Sequence, residues 1–406
     1  MDKSDTIIIG GGLIGLAQAL ALAAHGISSH VIDRADPAAM QASGFDGRTS
    51  AISSASMKMF EAIGLGAALE GHGCPIEQIW VSDGLKPGAL DFVPSKEDGY
   101  LGQMFENQLL RRVLYAAAVQ QPLIKLHMPA TIASQQRDDA GVRVALDDGA
   151  MLAGDLLIVA EGRKSATRDA AGIGIAQWTY DHEALVTVVN HAKPHGNVAY
   201  EIFYATGPFA VLPMIDDANG RPRSAIVWSV SKADAPGYRK LSPRALAAEI
   251  QKAMGDMLGS IEMAAPVSGY PLGFHHAVRI TDTRLALIGD SAHGIHPIAG
   301  QGLNLGLRDV AALAETMIDG ARLGLDFGDA QLLARYQRWR SVDTLLVAMA
   351  TDSLNRLFSI PGKSASAVRR FGLGAVQRFR PAKALFMAEA RGEAGDLPKL
   401  LQGTLA

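Results

Sequence analysis

"TIIIGGGLIGLAQALALAAHGISSHVID", residues 6–33, is the stretch on which the fold turns. Thr6 to Ile9, with three consecutive isoleucines, read as a strand. Gly10, Gly12 and Gly15 follow, and then an alanine- and leucine-rich run of strong helix formers that Gly26 stops. "SSHVID" reads as a second strand and ends on Asp33. Strand, glycine turn, helix and strand make a βαβ unit and predict a parallel sheet. In such a unit G-x-G-x-x-G allows a tight turn, close approach of backbone to a pyrophosphate and close helix-to-strand packing. The helix N-terminus attracts the phosphates, and a carboxylate eighteen residues beyond Gly15 accepts from a ribose hydroxyl. Gly10, Gly12, Gly15 and Asp33 are therefore candidate dinucleotide ligands. Arg34 stays open between covering an adenine and facing solvent, and the motif alone does not choose between NAD and FAD.

At 406 residues the chain exceeds the usual single-domain size, so two domains or one large insertion are expected. A net charge of -3 gives no basic surplus for nucleic acid. Between Ala330 and Arg380, however, nine Lys/Arg stand against two Asp. A solvated face is the preferred reading of that run, and contact with an acidic membrane is the alternative. Cys74 is the single cysteine, which excludes an intramolecular disulfide and a cysteine metal cluster and fits a reducing compartment. "MDKSDTIIIGGG" leaves no room for a signal peptide, and the longest apolar run, Leu13 to Ala24, is shorter than the roughly 20 residues a membrane-spanning helix needs. A cytoplasmic protein is expected.

Further along, a helix is expected over Thr49–Ile63, short strands within 74–102, and a helix over Asn107–Gln120. A hairpin around Asp147-Asp148-Gly149 precedes the apolar run "LLIVA", with Glu161 at its tip. Four β-rich runs lie between Ala184 and Val230, a helix follows, and "RLALIGD" is once more a buried parallel-type strand. The expected fold is α/β. A Rossmann-like parallel-sheet domain is assembled from 1–73, 103–175 and 270–325. A mainly antiparallel β-sheet substrate domain from 74–102 and 176–269 is inserted in it, and 326–406 form C-terminal helices. Arg48, just before a helix, has the planar fork to reach phosphates, but taken alone it is better explained as a surface residue pairing with Asp46. Phe209, Leu212, Pro213 and Trp228 are candidate substrate-pocket walls, at even odds with plain sheet core.

The stretch "GDSAHGIHPIAGQGLNLGLRD", residues 289–309, begins where the last apolar strand ends. Asp290 is an acceptor suited to a polyol hydroxyl. Gly300 and Gly302 come just before an apolar helix starting near Leu303, whose N–H groups and dipole would face an anionic or electron-rich group. A flavin, which takes up negative charge on reduction, suits that place, and Pro297 and Ala299 offer little side chain to block a flat ring. His293 and His296 lack a third ligand in any matching motif, so hydrogen bonding in a tight loop is expected of them and no metal. Ser291 lies in no G-x-S-x-G elbow.

With these motifs assembled, the chain resembles a group A flavoprotein aromatic hydroxylase of the p-hydroxybenzoate hydroxylase fold. The glycine fingerprint, "AEGRKSATR" and Gly289-Asp290 stand in that family's order. In the second motif Glu161 replaces the usual Asp and keeps a carboxylate for the NAD(P)H and flavin role. "DGRTSAIS", "GPFAVLP" and especially "HPIAGQGLNLGLRD" resemble the ubiquinone-biosynthesis hydroxylases. The resemblance implies that Arg48 and Gln108 contact FAD and that Gly289-Asp290 holds the ribityl or pyrophosphate region. Gly300, Gly302, Leu303 and Asn304 would line the isoalloxazine, with the backbone of Pro297, Gly300 and Gly302 nearest the reacting ring. No catalytic side chain is identified. The activity implied is hydroxylation of a polyprenylated phenol or quinone precursor by FAD, O2 and transient NADH or NADPH, through a flavin C4a-hydroperoxide. A flavin hydroxylase of another phenol, or a non-catalytic FAD-binding member of a biosynthetic assembly, remains the alternative. Association with other ubiquinone-biosynthesis proteins, or peripheral contact with the membrane's inner face, would bring such a lipid to the protein.

Overall fold

The computed structural model describes residues 1–38, 47–85, 90–95, 97–204, 206–294, 301–341, 374 and 376–406. At its centre, Leu285–Leu287, Leu156–Val159, Thr6–Ile9, Ser29–Ile32 and Ile124–His127 run parallel, in that order, with Thr281–Asp282 antiparallel at one edge. Every residue of Thr6–Ile9 and Leu156–Val159 is buried, which is why these strands read as unbroken apolar runs rather than alternating ones. The Leu13–Ala23 helix connects the first two strands of the expected βαβ unit. It buries every residue from Gly15 to Ala23 and packs against helices Gln301–Arg322 and Asn107–Gln120.

A second sheet has nine strands. His293–Gly294, Ser268–Ala277, Ile175–His191, Arg223–Ser231, Gly207–Met214, Val198–Tyr204, Gln78–Asp83 and Leu90–Phe92 lie in that order, and Ile261–Met263 pairs with Ile175–His191 beside them. All neighbours are antiparallel except Val198–Tyr204 with Gln78–Asp83. Four of the strands are the β-rich runs expected between Ala184 and Val230. One face packs Leu185, Ile202, Phe209, Val211, Ile226 and Trp228 against Leu246, Ile250 and Met254 of helix Pro243–Met254. The opposite, inner face sets Val188, Ala199, Met214 and Ala225 against Cys74, Ile76 and Met104 of a small sheet, Thr49–Ser53, Gly102–Glu106 and Cys74–Ile76.

Two expectations change. Thr49–Ser53 is a strand, antiparallel to Gly102–Glu106, where a helix was expected from Thr49. The helix begins only at Ser54, capped by Ser53, whose Oγ accepts from Ser56 N at 3.3 Å. The large sheet also reaches Ala277, past 269, because Ser268–Ala277 pairs along the seventeen-residue strand Ile175–His191. After Gln301–Arg322, residues 330–341 and Arg380–Ala390 are helical. Among the described residues no helix is long and apolar enough to cross a membrane.

Candidate active site

The glycine turn is built by exclusion at two positions and left open at a third. Gly10 has φ +106°, which only glycine adopts at little cost, and a Cβ there would overlap the Ala160 carbonyl. A Cβ on Gly15 would overlap the Gly10 carbonyl oxygen. On Gly12 it would meet nothing within 4 Å. Gly12 is the N-cap of Leu13–Ala23, and that helix start has no side-chain cap and no acidic residue in its first turn. Backbone N–H groups without a side-chain acceptor, facing open space at the positive end of a helix dipole, form a cradle for an anion. The half-buried Asp33 lies beside it, accepting from Gly11 N at 2.6 Å and Ala35 N at 2.8 Å. Arg34 is exposed.

The two carboxylate motifs meet at the ends of adjacent parallel strands. Ser291 Oγ accepts from Gly162 N at 3.1 Å, and its carbonyl accepts from the buried Arg168 at 3.3 Å. Arg168 also donates to the Arg163 carbonyl at 3.0 Å, and Arg163 Nε lies 3.4 Å from Asp290 Oδ2. His275 Nε2 donates to the Asp290 carbonyl at 2.8 Å, and burial holds that imidazole below its ordinary pKa. With its backbone fixed in this way, Asp290 turns a half-exposed carboxylate outward. Glu161 accepts from Ser165 Oγ at 2.6 Å and Thr167 N at 3.0 Å and so caps the short Ala166–Ala170 helix.

Behind Asp290 sits a buried charge that sequence reasoning missed. Asp309, fully buried in Gln301–Arg322, accepts from Gly289 N at 2.8 Å, His293 Nε2 at 2.6 Å and Arg340 Nε at 2.7 Å. Burial alone would raise the Asp309 pKa, but the neighbouring His293 and Arg340 outweigh it and hold the carboxyl below its usual value. Its signal was present in "LNLGLRDVAALAETM": an aspartate in line with Leu305, Ala312 and Leu313 on the apolar face of a helix. His293 does hydrogen-bond, but to a partner in the helix sixteen residues away and not within the loop as expected.

At the start of the same helix, Asn304 Oδ1 accepts from Ser53 N at 3.0 Å and its Nδ2 donates to Ala51 O at 2.9 Å, tying the helix to strand Thr49–Ser53. The Arg48 carbonyl accepts from Asn107 N at 3.0 Å, which sets exposed Arg48 beside buried Gln108. A Cβ on Gly302 would meet nothing within 4 Å, and Leu303 is half-buried. Asp46, His296, Pro297, Ala299 and Gly300 lie outside the described residues.

The candidate pocket walls do not share one surface. Phe209 and Trp228 meet edge to face at 5.8 Å beneath the helix-covered side of the large sheet, with Tyr238 a further 4.7 Å from Trp228. Both are sheet core rather than walls facing the parallel-sheet domain. Leu212 packs on the inner face, and Pro213 is buried. Cys74 is buried, and burial pushes its thiol up to about 11, so it is no reactive nucleophile.

A model described as FAD binding domain matches residues 3–344. Ubiquinone hydroxylase UbiL of Rhodospirillum rubrum is 42% identical over 403 residues, spanning 98% of this chain and 93% of that protein. The chain belongs to the family of FAD-dependent ubiquinone hydroxylases. The 3-demethoxyubiquinol 3-hydroxylase of Escherichia coli is 32% identical to this family member, over 92% of this chain and 95% of that protein. Among solved structures, p-nitrophenol 4-monooxygenase PnpA from Pseudomonas putida shares the hydroxylase fold, with a TM-score of 0.79 at 16% identity over 98% of this chain and 100% of that one. FAD is the cofactor of this flavoprotein monooxygenase, and NAD(P)H is its co-substrate. The uncapped cradle at Gly12 and the open backbone at Gly302 fit such a group.

Proposed function

We propose that this monooxygenase hydroxylates the aromatic ring of a polyprenyl phenol or quinone precursor of ubiquinone, consuming O2 and NAD(P)H. The observation that carries the reading is the 42% identity to the R. rubrum enzyme across nearly the whole of both chains. In this reading the Gly10-Gly12-Gly15 turn holds the FAD pyrophosphate, Asp33 a ribose hydroxyl and Asp290 the polyol chain. Arg48 and Gln108 flank the cofactor, Glu161 shapes the turn it shares with NAD(P)H, and Gly302, Leu303 and Asn304 edge its ring. Bound FAD supplies the redox and oxygen chemistry, while the protein orients the partners and excludes water. The inner face of the nine-stranded sheet, with Leu212, is the floor of the substrate site.

The test uses purified FAD-loaded protein, 2-prenylphenol and labelled oxygen gas. Expected are prenylphenol-stimulated NAD(P)H oxidation and one labelled oxygen atom in the ring of the product. Stimulation without label would reject hydroxylation, and equal turnover of simple untailed phenols would favour a different phenolic substrate.

Delivery of so apolar a substrate suits peripheral contact with an anionic bilayer. Phe379, Leu385 and Phe386 are exposed beside the basic run, of which residues 342–373 lie outside the described residues. The protein is expected to float with phosphatidylglycerol-containing liposomes at low salt and to dissociate as salt is raised. Failure to float at low salt would remove this part of the proposal.

A further inference from the structure

On the inner face of the large sheet, the Glu201 side chain has no partner among the described residues. In Val198–Tyr204, Tyr200, Ile202 and Tyr204 pack into the helix-covered cluster and Ala199 into the inner one. Alternation therefore turns Glu201 to the inner face. The strand register sets Val81, Glu201, Ala210, Val227, Val186 and Ser268 in one row across that face. From Glu201 to Ser268 the row crosses four strand spacings, about 19 Å. Its Ser268 end abuts the turn that carries Arg48: a Cβ on Gly47 would lie 3.4 Å from Ser268 Oγ.

This row is not closed over by the small sheet. Ala199, Ala225 and Val188, two residues further along their strands, are buried, whereas Val81, Glu201, Val227 and Val186 all keep partial exposure. Protein surrounds the Glu201 carboxyl, yet solvent reaches the residue, which describes the floor of a recess. No hydrogen bond or ion pair joins the Glu201 carboxyl to any described residue. The charged groups on the same strip from neighbouring elements are Asp83 on the adjoining strand and Arg223 with Glu106 2.9 Å from it, and exposed Arg48 follows Gly47 in the turn at the Ser268 end.

We infer that Glu201 is the acid–base residue for the hydroxyl group of the phenolic substrate. The inference rests on the proposed phenolic substrate and supplies the catalytic side chain that the sequence motifs lack. The phenol O–H proton passes to the Glu201 carboxylate and the bonding pair stays on the phenol oxygen, which enriches the ring carbons ortho and para to it. The ring C–H proton leaves for solvent when aromaticity is restored, and Glu201 returns its proton to the phenolate oxygen. Glu201 is therefore regenerated, and the oxygen atom and electrons come from O2 and NAD(P)H in the family's reaction. Burial pushes the Glu201 carboxyl up to about 7, where it both takes and returns a proton at neutral pH.

Glu201→Gln keeps the volume and removes the base. With 2-prenylphenol, the parent's kcat should rise with pH through about 7, while the variant should lose that limb and fall by about 10²- to 10⁴-fold, with its FAD content retained. A second measurement needs no turnover: titration of bound 2-prenyl-4-nitrophenol, whose phenolate is yellow. In the parent, probe and Glu201 share a proton, so colour should develop in two coupled steps; in Glu201→Gln there should be one. If Glu201→Gln does not fold, Glu201→Asp, which keeps the carboxyl, should retain two steps with a lower kcat. A single step in the parent, or an unchanged pH limb in Glu201→Gln, would overturn the assignment. Failure of the probe to bind any of these proteins would overturn the phenolic-substrate reading itself, and the assignment with it.

Discussion

Asp309→Ala is expected to destabilise the FAD-free protein by about 3–5 kcal/mol, because it removes one partner of a buried, hydrogen-bonded ion pair. Arg340 is 1% exposed and Asp309 is 0% exposed, so water does not replace the lost partner. Gly289 N and His293 Nε2 lose their acceptor in the same step, which frees the turn that aims Asp290. Loss of FAD should therefore accompany loss of stability, although no atom of Asp309 belongs to the proposed cofactor contacts. Adding Arg340→Met to Asp309→Ala should recover part of the stability, since it takes away the buried charge that had faced Asp309, and should not restore FAD affinity. Denaturant midpoints and FAD titrations of the single and double variants test both statements. A loss below about 1 kcal/mol would show that the three contacts are not a unit. The sign of the pH effect is fixed by the same pair of neighbours. With its folded pKa depressed, Asp309 contributes fully above the ordinary carboxylate value, and that contribution is lost as pH falls through the folded one.

The βαβ unit and its glycine turn were legible because their signals are local. Gly10, Gly12 and Gly15 sit within one turn, and their βαβ setting is declared by apolar runs a few residues either side. Arg48 and Gln108 came from the resemblance, and the structure joins them through Arg48 O and Asn107 N, fifty-nine residues apart. What stayed hidden depends on distant pairing. Thr49–Ser53 is held as a strand by Gly102–Glu106, so its hydroxyl residues read from sequence as a helix cap four residues too early. Alternation in "FAVLP" and "AYEIFYA" separates two sets of side chains without saying which set meets helix Pro243–Met254 and which the small sheet. That missing sign is why Phe209 and Trp228 stood level with Leu212 as walls, and why Glu201 went unremarked. The partners of Asp309 lie sixteen, twenty and thirty-one residues away, beyond any local pattern.

Gly12→Ala and Gly15→Ala should fail in opposite ways, although both glycines belong to one motif and lie three residues apart. A methyl on Gly15 collides with the Gly10 carbonyl oxygen, backbone against backbone, so helix Leu13–Ala23 must shift away from strand Thr6–Ile9. That overpacking should cost about 1–3 kcal/mol or more without any cofactor present. On Gly12 the methyl enters open space, and in the N-cap position alanine is worse than glycine by about 1 kcal/mol. The FAD-free Gly12→Ala protein should therefore melt within a few degrees of the parent. Its FAD affinity should nevertheless drop by at least about 100-fold, roughly 2.7 kcal/mol, because the methyl occupies the space from which a pyrophosphate reaches the helix N–H groups. Thermal melts of stripped protein and fluorescence titration with FAD separate the two outcomes. Equal FAD binding by Gly12→Ala and parent would mean that the cradle is not the pyrophosphate site, whatever the family to which the fold belongs.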